Sequence, residues 1–260
     1  MSGVALLGAG LLTGWGPGVA ALPAEAGVAA AGRTVIAVET PRLDGDRFRR
    51  ATRECLLAVA AVDALLTDAG LSREAIEGGA TALIYVTAGA YGASNRAFVE
   101  SAAPGTLHFP YTAASAVPAE VSIEFGLTGR YLILIGGAAT TIDALWQAGR
   151  LVSTGACQRA LVLAVETFTE CADLWRRSRW LLRSPLVEAA ACVLLGAGRA
   201  GLRVGPGEAA AALERTAARR AGETLACEPL VALALARASG EDWGTLTGHW
   251  RGRRAVLTTA

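Results

Sequence analysis

Tyr131-Leu-Ile-Leu-Ile-Gly-Gly-Ala-Ala-Thr-Thr-Ile-Asp-Ala-Leu-Trp-Gln-Ala-Gly-Arg-Leu-Val-Ser-Thr-Gly-Ala-Cys-Gln-Arg-Ala-Leu-Val-Leu-Ala-Val-Glu166 is the stretch whose reading decides the fold. Tyr131 to Ile135 is apolar without alternation, the pattern of a strand covered on both faces. A turn of small residues, Gly136 to Thr141, leads into a helix that runs to about Val152. Ser153-Thr-Gly-Ala-Cys157 then returns the chain to a second strand, Ala160 to Val165. In α/β enzymes a Gly/Ala turn between a strand and a helix N-terminus commonly holds a nucleophile, because the helix dipole and free N–H groups stabilise negative charge there. Here the turn holds Ala138, which has no nucleophilic atom, and the hydroxyls of Thr140 and Thr141 have no identifiable base.

Working outward, Val4 to Leu12 reads as a strand closed by the turn Thr13-Gly-Trp-Gly-Pro17. Leu56, Val59, Leu65 and Leu66 recur at helical spacing and predict a helix from about Thr52 to Ala69, stopped by Gly70. Ala82 to Thr87 is a buried strand, followed by helices from about Ser94 to Glu100 and from about Thr112 to Phe125. Ala189 to Leu195 is a further strand. Strands alternating with helices of this length predict an α/β fold with a mostly parallel sheet covered on both faces.

The chain has 260 residues, of which 56 are alanine, 31 glycine and 24 arginine, and none is lysine. Schiff-base and amine-base chemistry are therefore excluded. A net charge of +1 gives no global field for nucleic acid or an anionic membrane. Apolar runs are interrupted, by Asp143 and by Glu188, so no membrane span is expected. No basic residue precedes Arg33, so the start lacks the features of a signal peptide and a cytoplasmic location is expected. Five cysteines (Cys55, Cys157, Cys171, Cys192, Cys227) without a CxxC pair read as reduced thiols, with neither metal nor disulfide.

Residues 131–166 resemble, without a gap, the β-ketoacyl synthases of the thiolase fold: strand, Thr-Ala-Cys-Ser-Ser, helix, Ser-Gly, strand, Val-Glu. Val4 to Thr13 is similar to the family's first strand and turn, Glu120 to Gly129 to its helix ending in Phe-Gly-Leu-x-Gly, and Val187 to Leu194 to its Gly-Glu-Gly-Ala strand. The register puts Ala138 where the family has its acyl-accepting cysteine. Gly222 to Leu235 resembles the late Gly-His-x-x-Gly-Ala helix, with Glu223 in the histidine's place, and Trp250 to Leu257 the closing glycine turn and last strand. The resemblance implies a thiolase-like, layered half-fold: residues 1–205 as the N-terminal domain, 206–260 as the remnant of a shortened C-terminal half.

The family's chemistry needs a thiolate, two histidines and a lysine. Ala138, Glu223, the absent first histidine and the absence of lysine remove all four, leaving His108 and His249 without motif partners. The resemblance therefore implies a non-catalytic subunit of chain-length-factor type, needing no cofactor. It would pair as a heterodimer with a full-length β-ketoacyl synthase in type II polyketide, aryl-polyene or fatty-acid-like biosynthesis and wall an acyl tunnel with Gly136 to Thr141. The family's dimer edge maps to Leu132, Leu134 and Ile135, neighboured by Thr112 to Phe125. Arg176, Arg177, Arg179 and Arg183, interleaved with Trp175 and Trp180, read either as a solvated helix face or as a docking patch for an acidic acyl carrier protein. Arg251, Arg253 and Arg254 carry the same two readings. Two rival functions are an acyl-thioester enzyme with an atypical nucleophile such as Cys157, and a homodimeric scaffold.

Overall fold

Every residue of strand β4 (Thr81–Thr87) is buried, and its side chains divide between two cores. Ala82, Ile84 and Val86 face one, Leu83 and Tyr85 the other, which is why the sequence shows a continuous apolar run rather than alternation. The computed structural model describes residues 3–101, 109–169, 172–173, 184–206 and 211–259. In its main sheet β4 pairs in parallel with β5 (Tyr131–Ile135) and β6 (Arg159–Glu166). β8 (Ala189–Gly198) runs antiparallel to β6 and to β1 (Gly3–Thr13), and the short β2 (Gly16–Pro17) closes a hairpin on β1. The order β2-β1-β8-β6-β4-β5 thus has β1, β4, β5 and β6 pointing one way. The sheet is mostly parallel in direction, as expected, with β8 the one reversed long strand.

Helices cover both faces. After the short α1 (Ala26–Ala29), α2 (Arg53–Ala69) lies on one face and ends at Gly70, whose φ of 63° makes the left-handed stop predicted from its sequence. α3 (Tyr91–Glu100) and α4 (Ala116–Glu124) follow, α4 beginning later than the sequence suggests because Phe109–Thr112 forms a 3-10 turn. The α4 residues Val117 and Val121 pack with α2 over β4, β6 and β8.

On the other face lies α5 (Ala138–Ser153); β7 (Leu186–Val187), which follows it in the chain, pairs in parallel with the early β3 (Val35–Ile36), and β9 (Leu202–Pro206) comes after β8. α6 (Ala212–Ala221), α7 (Glu228–Ser239) and the hairpin β10 (Thr245–Trp250) and β11 (Arg253–Thr259) complete the chain. β9, β11 and β10 form a second, antiparallel sheet against α5. Leu230 and Leu233 of α7 and Leu246 and Leu257 of the hairpin belong to the same core as Ile84 and Val162, so residues beyond 206 share the core of the earlier part. Among the described residues no helix is long and apolar enough to cross a membrane.

Glu188 interrupts the apolar run before β8 because it is a buried tie-point. Its Oε1 accepts hydrogen bonds from Phe168 N (2.7 Å), Thr169 N (2.7 Å), Thr169 Oγ1 (2.7 Å) and an Arg53 guanidinium N–H (3.2 Å). Its Oε2 accepts from Val38 N (2.9 Å) and pairs with a second Arg53 N–H. One carboxylate thus joins three loops and α2.

Candidate functional site

The N-terminus of α5, where the sequence puts the missing nucleophile, is buried from Gly136 to Ala139. Gly136 N–H donates to Thr87 O (2.9 Å), fixing the turn to the end of β4, and Gly137 O accepts from Thr140 N (2.8 Å). The glycines here serve close packing. A methyl added at Gly137 would lie 2.3 Å from Trp250 Cε3, and one at Gly248 2.5 Å from Ala138 O. The β10–β11 hairpin therefore lies directly on the first turn of α5, with the Trp250 indole over Gly137. The hairpin is held there by Arg253, which pairs with Asp143 of α5, and by Arg254, which pairs with Glu214 of α6 at 2.7 Å. Arg251 stacks on Trp250, 5.5 Å from the ring centre. Of the three arginines read as a possible docking patch, Arg253 and Arg254 are internal ties. Ala138 is 2% exposed, Gly136 to Ala139 are all buried, and Gly137 and Ala138 lie against the chain's own hairpin.

Around this turn stand carboxylates. Glu166, fully buried at the end of β6, accepts from Ala88 N (2.5 Å) and Gly89 N (3.2 Å). Burial pushes its pKa up to about 8 against those hydrogen bonds. Thr141 Oγ1 donates to Ala226 O (2.6 Å), tying α5 to the 3-10 turn Leu225–Cys227. Glu223 precedes this turn, its backbone bonded to Pro185 O and Val187 N at 2.9 Å each. Burial raises the Glu223 carboxyl, and the Leu225 N–H and His249 draw it back down. Glu228, at the start of α7, is pushed up to about 8 by burial and then by the negative charges of Glu223 and Glu214, with Arg254 opposing. Such groups can hold protons, but they cannot accept an acyl chain as a thiolate does.

The other sequence candidates fall elsewhere. Cys157 follows the far end of α5, which at 16 residues is about 24 Å long. It is buried, and burial raises its thiol, the opposite of what a nucleophile needs. Cys227 lies beside the site, but full burial holds its thiol well above its usual range. His249 is exposed on β10. His108 and Arg176, Arg177, Arg179 and Arg183 lie outside the described residues. Sequence reasoning missed Trp250 as a cover and Glu228 as a partner of Glu223. Their only signals were an aromatic ahead of a glycine turn and a second glutamate five residues after the first.

The two edges of the main sheet contrast. At the β1 edge, Asp68 Oδ2 accepts from Ala9 N (2.9 Å) and pairs with Arg237 (2.6 Å), while Gly18 N donates to Leu11 O (2.8 Å). Backbone groups that could recruit another strand are thus occupied. At the β5 edge, Tyr131 is 45%, Leu132 38% and Ile135 53% exposed. Leu134 departs from the expected row: it is partly buried and packs into the core shared with α5.

A model of the β-ketoacyl synthase N-terminal domain matches residues 35–218. No curated protein matches the chain. Among solved structures, a β-ketoacyl synthase from Burkholderia phymatum is similar at 14% identity and a TM-score of 0.72, over 100% of both chains. The ishigamide ketosynthase/chain length factor is similar at 18% identity and a TM-score of 0.68, over 99% of this chain and 98% of that one. A ketosynthase in complex with its chain length factor from Xenorhabdus doucetiae is similar at 12% identity and a TM-score of 0.63, over 99% of this chain and 100% of that one. These likenesses establish the thiolase-like ketosynthase fold.

Proposed function

The chain belongs to the β-ketoacyl synthase family, and within it we propose a non-catalytic, chain-length-factor-type subunit that pairs with an active β-ketoacyl synthase. The observation that carries the reading is the sealed start of α5. The position of the acyl-accepting cysteine is Ala138, buried at 2% exposure, with Trp250 over the adjacent Gly137. Glu223, in the position of a histidine, supplies a carboxyl rather than an imidazole to support decarboxylation or an oxyanion. Loss of the nucleophile alone is repairable by a neighbouring group. A helix N-terminus buried under the chain's own hairpin does not present such a group to an acyl chain.

The open β5 edge supports pairing. Tyr131, Leu132 and Ile135 present exposed side chains along a strand whose outer edge has no partner among the described residues, while the opposite edge is closed by Asp68 and Arg237. In this proposal a full-length synthase covers β5 in a heterodimer, and an acyl carrier protein docks on the pair, with Arg176, Arg177, Arg179 and Arg183 as the basic patch. Residues 206–260 stand for the second half of a complete synthase. The pathway class is type II polyketide, aryl-polyene or fatty-acid-like synthesis. The fact that solved neighbours include a ketosynthase with its chain length factor supports this class.

Incubating the purified chain with acyl- and malonyl-loaded carrier proteins tests the reading. No condensation product is expected from this chain alone. Product formation would overturn it.

A further inference from the structure

The chain's charge is nearly balanced, and several of its arginines have no ion pair among the described residues. The lower rim of the main sheet is where β5 and β6 begin and β8 ends. Arg130 precedes β5, Arg159 opens β6, Arg199 follows β8 and Arg150 lies in the last turn of α5. Among the described residues none of these four forms an ion pair, whereas Arg47, Arg53, Arg73, Arg237, Arg253 and Arg254 all do. Two of the unpaired ones share a concave site.

That site is a cleft of about 510 Å3 between the C-terminal end of α5 and the turn after β8. Trp146, Arg150, Ser153, Arg199 and Leu202 line it, and no lining residue is acidic. Its walls are set by close backbone packing: Val4 N donates to Ala200 O (2.7 Å), and a methyl at Gly149 would meet Leu202 Cδ1 at 2.4 Å. The Arg150 guanidinium lies over the Trp146 ring at 5.3 Å. Both arginines are exposed. The negative end of the α5 dipole is worth about half a charge, so it offsets only part of two guanidiniums. The volume falls within the range of small-molecule sites.

We propose that this cleft binds a phosphate monoester, the dianionic phosphate held between Arg150 and Arg199 and the ester's apolar body against Trp146 and Leu202. A dianion balances both guanidiniums, each of which can offer a two-pronged donor pair to its oxygens. The aromatic and aliphatic walls distinguish an ester from free phosphate. The site is at the opposite end of α5 from Ala138, so the proposal stands apart from the question of catalysis.

Isothermal titration of the full chain with phenyl phosphate, and separately with inorganic phosphate, tests it. Saturable single-site binding of phenyl phosphate is expected, about tenfold tighter than inorganic phosphate. R150Q and R199Q each weaken it by about tenfold or more; R199Q leaves the melting temperature unmoved, whereas R150Q lowers it slightly, because it also removes the stacking on Trp146. Affinity rises as pH passes about 6, where the monoester loses its second proton. Equal affinity in the R150Q/R199Q double variant, or no saturation at millimolar phenyl phosphate, overturns the site. Equal affinity for inorganic phosphate overturns the ester assignment.

Discussion

Replacing Glu188 tests how this sheet is held to its loops. In Glu188→Ala, four donors lose their acceptor: Val38 N, Phe168 N, Thr169 N and Thr169 Oγ1. At about 1 kcal/mol each this is about 4 kcal/mol. The Arg53 guanidinium, 18% exposed, also loses its counter-charge, which agrees with the roughly 3–5 kcal/mol for breaking a buried pair. Glu188→Gln is milder for a geometric reason. An amide with its oxygen at the Oε1 position still serves Phe168 N and both Thr169 donors, and only Val38 N and one Arg53 N–H meet an amide nitrogen instead. A cost of about 2 kcal/mol follows. Urea unfolding reads both as a lower midpoint with an unchanged slope. For Glu188 burial raises the carboxyl, but Arg53, Phe168 N–H and Thr169 outweigh it, leaving it below the ordinary value. Its contribution is therefore present above the ordinary carboxylate pKa and is lost on acidification. If Ala and Gln cost the same, or if either costs less than about 1 kcal/mol, the tie-point assignment fails.

Three further outcomes follow from the site. Glu228 has a folded pKa of about 8 against an ordinary 4.5, so the folded state holds its proton more tightly. Stability should fall as pH rises from about 4.5 to about 8 and level off above; thermal melts should show Glu228→Gln flattening that slope, and an unchanged slope would contradict the burial of this carboxyl. Gly137→Ala should lower stability by about 1–3 kcal/mol, since the methyl collides with Trp250; a neutral effect in urea unfolding would mean the hairpin does not lie on the turn. Ala138→Cys should not restore acylation, because the new thiol is covered and has no histidine in the family's position, which Glu223 occupies. Intact-protein mass spectrometry after exposure to an acyl-thioester should show no adduct, and a stoichiometric one would contradict the seal.

Much of the fold was legible because it rests on local patterns. The run Tyr131 to Ile135, the turn at Gly136 and the strand to Glu166 appear where the sequence puts them. Ala138 is legible as a missing nucleophile for the same reason. What the sequence did not reveal depends on contacts between distant residues. Trp250 covers Gly137 from more than a hundred residues away, and nothing in Trp250-Arg-Gly-Arg-Arg encodes that approach. Glu188 reads as a flaw in an apolar run until its donors from the loops after β3 and β6 and from α2 are seen together. The reversed direction of β8 is invisible because an apolar run carries no polarity. Leu134 looks equivalent to Leu132 along the strand, but α5 covers one and leaves the other exposed.

Native mass spectrometry of the chain co-expressed with a full-length β-ketoacyl synthase tests the account's central claim most directly. The account predicts a heterodimer of one copy of each, lost when the exposed edge is charged in Leu132→Asp/Ile135→Asp while the variant's own melting temperature is retained. A chain that stays unpaired, or a heterodimer that survives both charges on β5, would contradict it.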